Sequence, residues 1–256
     1  MINSEVKFGE VLEKMKNTRV VPNTVPKYQC ELCKDTETIL YLKNGIEYGR
    51  DCECKEVKMS IRIMANSGIC DEDLKKTFKD FETFNEEKLI KAKQKAARYI
   101  KEFKDNIKAR NNSFLLCGLS GRGKTTLGII IANNLLSQLI GVRYMSYRDE
   151  ITRLKQVVID DINYNDRINR LKTAKVLFID DLFKGKITES DINIMYEIIN
   201  YRYLERLPMI ISTEMIPEKL LDLDEAVGGR ILEMCKGNTV VFDNSTQNYR
   251  LRDFEL

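Results

Sequence analysis

Gly118-Leu-Ser-Gly-Arg-Gly-Lys-Thr125 fits the phosphate-binding pattern G-x-x-x-x-G-K-[ST] at every fixed position, and the rest of the chain is read outward from it. Gly118, Gly121 and Gly123 allow positive φ and leave the backbone bare, so that a ring of N–H donors can wrap phosphates. The cofactor-binding set is then Gly118, Gly121, Arg122, Gly123, Lys124, Thr125 and Thr126. Lys124 would reach the β- and γ-phosphates of ATP and Thr125 would put its hydroxyl on Mg²⁺. The helix starting there would aim its positive end at the nucleotide. The context agrees: Ser113-Phe-Leu-Leu-Cys117 reads as a buried strand entering the loop, and Leu127, Ile130, Ile131 and Leu135 give the next helix an apolar face.

Downstream, strand and helix alternate, which predicts an α/β domain with a mostly parallel sheet. Strands are expected at Val142-Arg-Tyr-Met-Ser146, Val176-Leu-Phe-Ile-Asp180-Asp181, Met209-Ile-Ile-Ser212 and Thr239-Val-Val-Phe242. Helices are expected over 149–158, 190–206 and 225–236. In such a sheet the carboxyl ends of the strands line the ligand crevice, so Asp180 and Asp181 should face the phosphate loop. Asp180 would hold Mg²⁺, and Asp181 would orient the water that attacks the γ-phosphate.

Upstream, residues 86–110 read as a helix with nine Lys or Arg from Lys88 to Arg110 against Glu102 and Asp105, either a track for a phosphate backbone or a solvated outer face. Phe78, Phe81 and Phe84 stand three apart, as core or as the adenine side of the nucleotide pocket. Further amphipathic helices are expected over 4–18 and 55–66.

Between those helices lie Cys30-x-x-Cys33 and, after eighteen intervening residues, Cys52-x-Cys54. Thr38-Ile-Leu-Tyr-Leu42 and Ile46-Glu-Tyr48 read as strands about a tight turn at Asn44-Gly45, which would bring the two pairs together. Four thiolates suit tetrahedral Zn²⁺ in a closed structural site. Cys70, Cys117 and Cys235 are isolated in sequence and read as plain core or surface residues.

The bulk numbers set limits. A chain of 256 residues with 43% apolar side chains can build a real core, and a net charge of +3 neither demands nor excludes nucleic acid. No stretch approaches the roughly eighteen apolar residues of a membrane span, and the N-terminus lacks the apolar run of a secretory signal. A cytoplasmic protein is expected, with its seven cysteines reduced or metal-bound; without a single histidine, any chemistry proceeds without imidazole.

The phosphate loop, Asp180-Asp181, Ile198-Ile-Asn-Tyr-Arg-Tyr203, Ile211-Ser-Thr-Glu214, Gly229-Arg-Ile-Leu-Glu-Met-Cys235 and Asn248-Tyr-Arg250 together resemble the AAA+ ATPases of the DnaC/DnaI helicase-loader and IstB group, over residues 77–256. The cysteine module resembles that of firmicute and phage loaders. The resemblance implies a P-loop fold with a parallel five-stranded sheet, preceded by a small zinc-binding domain. The corresponding divisions are 1–70 for the zinc-binding, helicase-interaction domain, 71–87 for a linker and 88–256 for the ATPase. Only 14 residues follow Phe242, so a reduced or absent helical lid is expected, with neighbouring subunits completing the site.

Carried over by motif, Lys124, Asp181, Arg230 and Thr213 are the catalytic set, with Asp181 as general base and Arg230 serving a neighbouring subunit's nucleotide. Thr213 would sense the γ-phosphate, and Arg250 would contact the nucleotide of its own subunit. Asp at position 181, where many relatives have Glu, implies slow hydrolysis. The implied function is an ATP-dependent, Mg²⁺-dependent loader that binds the replicative DNA helicase and delivers it onto single-stranded DNA, with self-association through the ATPase domain. Tyr147, Arg148, Arg153 and Lys155 are candidate DNA contacts. The alternatives are an IstB-like transposition helper acting with a transposase, and a zinc-dependent adaptor that needs no ATP turnover.

Overall fold

The computed structural model describes residues 30, 32–43, 45–52, 54–55, 58 and 65–251. The helix expected over 4–18, and most of that over 55–66, lie outside the described residues. The chain divides into two compact units, 1–63 and 64–256.

In the first unit, β1 (Thr38–Lys43) and β2 (Ile46–Asp51) pair antiparallel, with Tyr41 opposite Tyr48 and Lys43 opposite Ile46. Gly45, at φ 77°, takes the left-handed position of the two-residue turn. The Tyr41 and Tyr48 rings stack at 5.8 Å.

The second unit is built on a five-stranded parallel sheet in the order β4-β5-β6-β3-β7. The strands are β3 (Phe114–Gly118), β4 (Val142–Ser146), β5 (Val176–Leu182), β6 (Met209–Thr213) and β7 (Thr239–Phe242). β3, β5 and β6 are buried on both faces and apolar until the polar residues at the carboxyl ends of β5 and β6, as strands covered on two sides must be. Alternation divides their side chains. Leu115, Cys117, Leu177, Ile179, Met209 and Ile211 face one buried cluster, which α3 (Tyr147–Gln156), α4 (Asp161–Thr173), α5 (Glu189–Leu204) and α7 (Glu225–Met234) complete. Leu116 and Phe178 face the other side, against α2 (Lys124–Ser137) at Gly128, where a Cβ would stand 2.5 Å from the Phe178 ring. A short α6 (Pro217–Leu223) precedes α7.

α1 (Glu87–Asn106) buries Leu89, Ala92, Ala96, Tyr99, Ile100 and Phe103, the stripe its apolar spacing predicts. The Tyr99 ring meets Phe114 edge to face at 5.1 Å. Part of its basic face is used internally. Lys88 pairs with Asp243 at 2.7 Å, Lys93 donates to Phe81 O at 3.4 Å, and Lys95 donates to Thr239 O at 2.9 Å. The segment 71–87, expected as a linker, lies within the second unit and forms 3-10 turns at Asp73–Lys75 and Phe78–Asp80. The Asn133 amide on α2 donates to Asp73 O and Lys76 O, which holds this segment to the helix.

Two helices were not expected. α4 carries few apolar residues that reach the core, only Ile168 and Leu171 being buried, and Ile162 is 83% exposed. The sequence signal for it was capping: Asp160 accepts from the Asn163 N–H at 3.1 Å. α6 has its own signal in Pro217 at the first helical position.

Candidate nucleotide site and cysteine cluster

β3 runs into the phosphate loop, where the Leu119 N–H donates to Phe242 O at 2.8 Å and ties the loop to β7. Gly118, Gly121 and Gly123 have φ of 109°, 78° and 85°. Gly123 caps α2, and a Cβ there would lie 2.9 Å from the Phe81 ring, so the loop needs glycine for conformation and for space. Phe81 itself is 3% exposed, and it packs under the loop as core. Phe84 instead faces Tyr249, with ring centroids 6.2 Å apart.

Among the described residues, the N–H groups of Gly121, Arg122, Gly123 and Lys124 meet no acceptor. Convergent N–H groups at a helix N-terminus fit a phosphate. Lys124, 5% exposed, donates to Leu119 O at 2.8 Å. Burial lowers its pKa, while the charges of Glu214 and Asp181 raise it. Thr126 follows it, half-buried, on α2. The Arg122 side chain is held by backbone carbonyls. Its Nε donates to Asp243 O and Thr246 O at 3.0 Å and its Nη1 to Ser120 O at 2.9 Å, so it stitches the loop to the segment beyond β7.

Three hydroxyls converge on Asp180. Thr125 Oγ1 donates to Oδ1 at 2.9 Å, Tyr144 OH to Oδ2 at 3.0 Å, and Ser212 Oγ to Oδ1. Burial, then the Asp180 charge, pushes the Tyr144 phenol up, so it stays a donor. Sequence reading missed both Tyr144 and Ser212; their signal was position, Tyr144 in β4 and Ser212 near the carboxyl end of β6, the two strands that flank β5. The site offers a carboxylate and a hydroxyl side by side, a donor set that fits Mg²⁺.

At Asp181 the sheet register breaks: Ile179 pairs with Ile211 and Leu182 with Thr213, a bulge that leaves Asp180 and Asp181 opposite Ser212. Asp181 takes φ 55°, its N–H donates to Ser212 Oγ at 2.8 Å, and its carboxylate pairs with Lys184 at 2.8 Å. Lys184 also reaches Glu214 at 3.4 Å. Thr213 is buried, its hydroxyl donating to Leu182 O at 2.8 Å and accepting from the Met215 N–H at 3.1 Å.

The two arginines lie apart from this cluster in their contacts. Arg230 Nε donates to Asn200 Oδ1 at 3.0 Å, Nη1 donates to Ala226 O at 2.7 Å, and the guanidinium stacks over Tyr196 at 5.2 Å. Arg250 is exposed, in a turn that the Tyr249 N–H fastens to Gly121 O at 2.9 Å. Of the candidate DNA contacts, Arg148 and Arg153 are exposed, but Tyr147 is not available for stacking on bases. It is 3% exposed, with its ring edge-on to Phe183 at 5.6 Å, because its place at the start of α3 turns it into the core. Lys155 is spent on Asp191 and Thr188.

In the first unit, Cys30, Cys33, Cys52 and Cys54 bring their sulfurs within 4.8 Å of one another. Cys30 and Cys52 sulfurs are 3.7 Å apart, and those of Cys33 and Cys54 3.4 Å. A tetrahedral Zn²⁺ with Zn–S of about 2.3 Å sets its ligands about 3.8 Å apart, so the four thiols fit. The Cys33 N–H holds Cys30 down at about 7, while burial pushes Cys54 up. The substitution Cys33→Ser is expected to reduce bound zinc from about one equivalent to near zero and leave ATP affinity unchanged. Metal analysis and nucleotide titration on one sample check this, and full zinc content in the variant would refute it.

The family described as IstB-like ATP binding protein matches residues 65–253. The chain belongs to that family. The phage-like element PBSX protein XkdC of Bacillus subtilis (strain 168) is 35% identical over 234 residues, covering 88% of this chain and 87% of XkdC. YqaM of the same organism is 36% identical over 217 residues, covering 81% of this chain and 68% of its own. In fold, this IstB-like chain is similar to the crystal structure of DnaI, with TM-score 0.56 and 23% identity over 69% of this chain and 94% of that one. It is likewise similar to the DnaC helicase loader, with TM-score 0.57 and 20% identity over 68% and 99%. The second unit is therefore an ATP-binding domain of the AAA+ P-loop type. Among the described residues no helix is long and apolar enough to cross a membrane.

Proposed function

We propose that the protein is an ATP-dependent loader that binds the replicative DNA helicase and places it on single-stranded DNA. The observation that carries the ATPase part is the convergence of Lys124, Thr125, Asp180 and Asp181 at the carboxyl ends of β3 and β5. Lys124 and the loop N–H groups hold the phosphates, and Thr125 and Asp180 would hold Mg²⁺, which would supply charge neutralisation to the phosphates. Asp181 accepts the proton of the attacking water as its oxygen bonds to the γ-phosphorus and the bond to the β-phosphate oxygen breaks. ADP and phosphate leave. The carboxylate of Asp is one methylene shorter than that of Glu, which favours slow, partner-regulated turnover.

The loader part is supported by the likeness in fold to DnaI and to the DnaC helicase loader, and by the phage-element relative XkdC. The zinc module is assigned to helicase binding, and Arg230 to the nucleotide of a neighbouring copy. Single-stranded DNA contact is supported by a cleft of about 450 Å³ in which Arg143, Arg153, Arg167 and Arg170 outnumber Asp149, Glu150 and Asp166. Arg167 and Arg170 are paired with Glu150 and Asp166, which leaves Arg143 and Arg153 free of carboxylate partners among the described residues.

Co-purification of the chain with the replicative helicase of its host, and helicase loading on circular single-stranded DNA with and without ATP, test the reading. Nucleotide-dependent loading is expected. The match to IstB-like ATP binding proteins favours a second reading, a transposition helper, and ATP-dependent capture of a transposase with no helicase binding would establish it in place of the first.

A further inference from the structure

We propose that Lys184 is a γ-phosphate-binding residue that exchanges Asp181 for the γ-phosphate when ATP enters. The proposal rests on the ATPase reading of the site.

The geometry that places Lys184 is local. After the bulge in β5, Asp181 and Phe183 both take left-handed backbone, at φ 55° and 59°, and the Lys184 N–H donates to Asp181 O at 3.1 Å. The turn is anchored by Phe183, 3% exposed and packed on the Tyr147 ring. A non-glycine residue in that region of backbone space costs about 1 kcal/mol or more, and such strain concentrates at functional sites. Here it turns a lysine back over the end of β5, where its ammonium bridges Asp181 at 2.8 Å and Glu214 at 3.4 Å.

The ammonium of Lys124 feels the charges of Asp181, Glu214 and Lys184, so these groups share one electrostatic space at the mouth of the phosphate loop. A γ-phosphate entering it brings further negative charge against two carboxylates. Lys124 is buried in the phosphate loop, whereas the Lys184 side chain is 39% exposed, on a flexible four-carbon stem, and held by two carboxylates. A γ-phosphate offers Lys184 a new anionic partner. The exchange has a consequence for Asp181. The ammonium takes one acceptor site on Asp181 Oδ2 and competes there with a water, so exchange of Lys184 to a γ-phosphate frees that site when there is a γ-phosphate to attack. ADP, without that group, leaves the Asp181–Lys184 pair closed.

The test is equilibrium binding of a non-hydrolysable ATP analogue and of ADP, both with Mg²⁺, to the full chain and to Lys184→Gln and Lys184→Arg. Lys184→Gln is expected to lose roughly ten- to a hundredfold in affinity for the analogue, the range of one charge-assisted hydrogen bond, with ADP affinity unchanged. Lys184→Arg is expected to keep most of the preference for the analogue. Equal losses for both nucleotides, or no loss for either, would overturn the proposal. So would faster hydrolysis by Lys184→Gln with an unchanged analogue-to-ADP ratio, since the lysine would then only restrain Asp181. A native chain that binds neither nucleotide would overturn the ATPase reading itself.

Discussion

Replacing Arg202 by methionine is expected to lower the stability of the nucleotide-binding unit by about 3 kcal/mol, seen as a fall of roughly 10 °C in its thermal midpoint. Arg202 lies in α5 with no exposed surface. Its Nη1 donates to Leu171 O, Lys172 O and Ala174 O at 2.9, 3.0 and 2.8 Å, and its Nη2 to Pro208 O at 2.7 Å. The first two acceptors lie in the last turn of α4, where backbone carbonyls have no partner within the helix and the helix dipole favours a cation. Burial lowers Arg202 to about 9, which still leaves it charged at neutral pH.

Four carbonyls losing a donor at about 1 kcal/mol each would cost about 4, offset in part because a charge no longer has to be buried. Arg202→Lys is expected to fall between, since one compact ammonium cannot serve the end of α4 and Pro208 together. Thermal unfolding followed by circular dichroism decides it. An unchanged midpoint for Arg202→Met would show that the fork contributes nothing net.

The second large effect separates binding from chemistry. Lys124→Ala is expected to weaken ATP binding by about a hundredfold or more, through loss of a buried cation aimed at two phosphates. Asp181→Asn is expected to bind ATP at least as well, with one carboxylate fewer facing the γ-phosphate, and to hydrolyse it roughly a hundred- to a thousandfold more slowly, the contribution of a positioned general base. Asparagine is the informative replacement because position 181 has φ 55°, a conformation that Asn tolerates and most residues do not. It removes the charge and keeps the turn that carries Lys184. Nucleotide titration with phosphate-release kinetics measures both variants, and hydrolysis at the native rate by Asp181→Asn would remove Asp181 from the chemistry.

The strands were legible because burial on two faces leaves an uninterrupted apolar run, as in β3, β5 and β6, and the phosphate loop because its glycines are demanded by backbone geometry. α4 was hard to read, since Tyr164, Ile168 and Leu171 form only a narrow apolar stripe and Ile162 lies off it in solvent. Tyr147 was misleading because its residue type and its basic neighbours suggest a surface, and what buries it is contributed by the distant Phe183; the burial of Arg202 likewise depends on distant groups, the carbonyls of α4 and Pro208.

By itself the sequence determined that this chain has a phosphate loop, an acidic strand end, a parallel sheet and four cysteines at metal-ligand spacing, because each depends on residues close together in the chain. Only the tertiary structure decided what those parts do to one another. The bulge opposite Ser212 turns Asp181 into left-handed backbone, three hydroxyls from three separate elements meet on Asp180, and Lys184 bridges Asp181 to Glu214. Apart from the Asp181–Lys184 pair, these relations join residues about thirty or more positions apart, and those at Ser212 and Asp181 run through a register shift between β5 and β6. Register is a property of the assembled sheet, and no local pattern of residues encodes it.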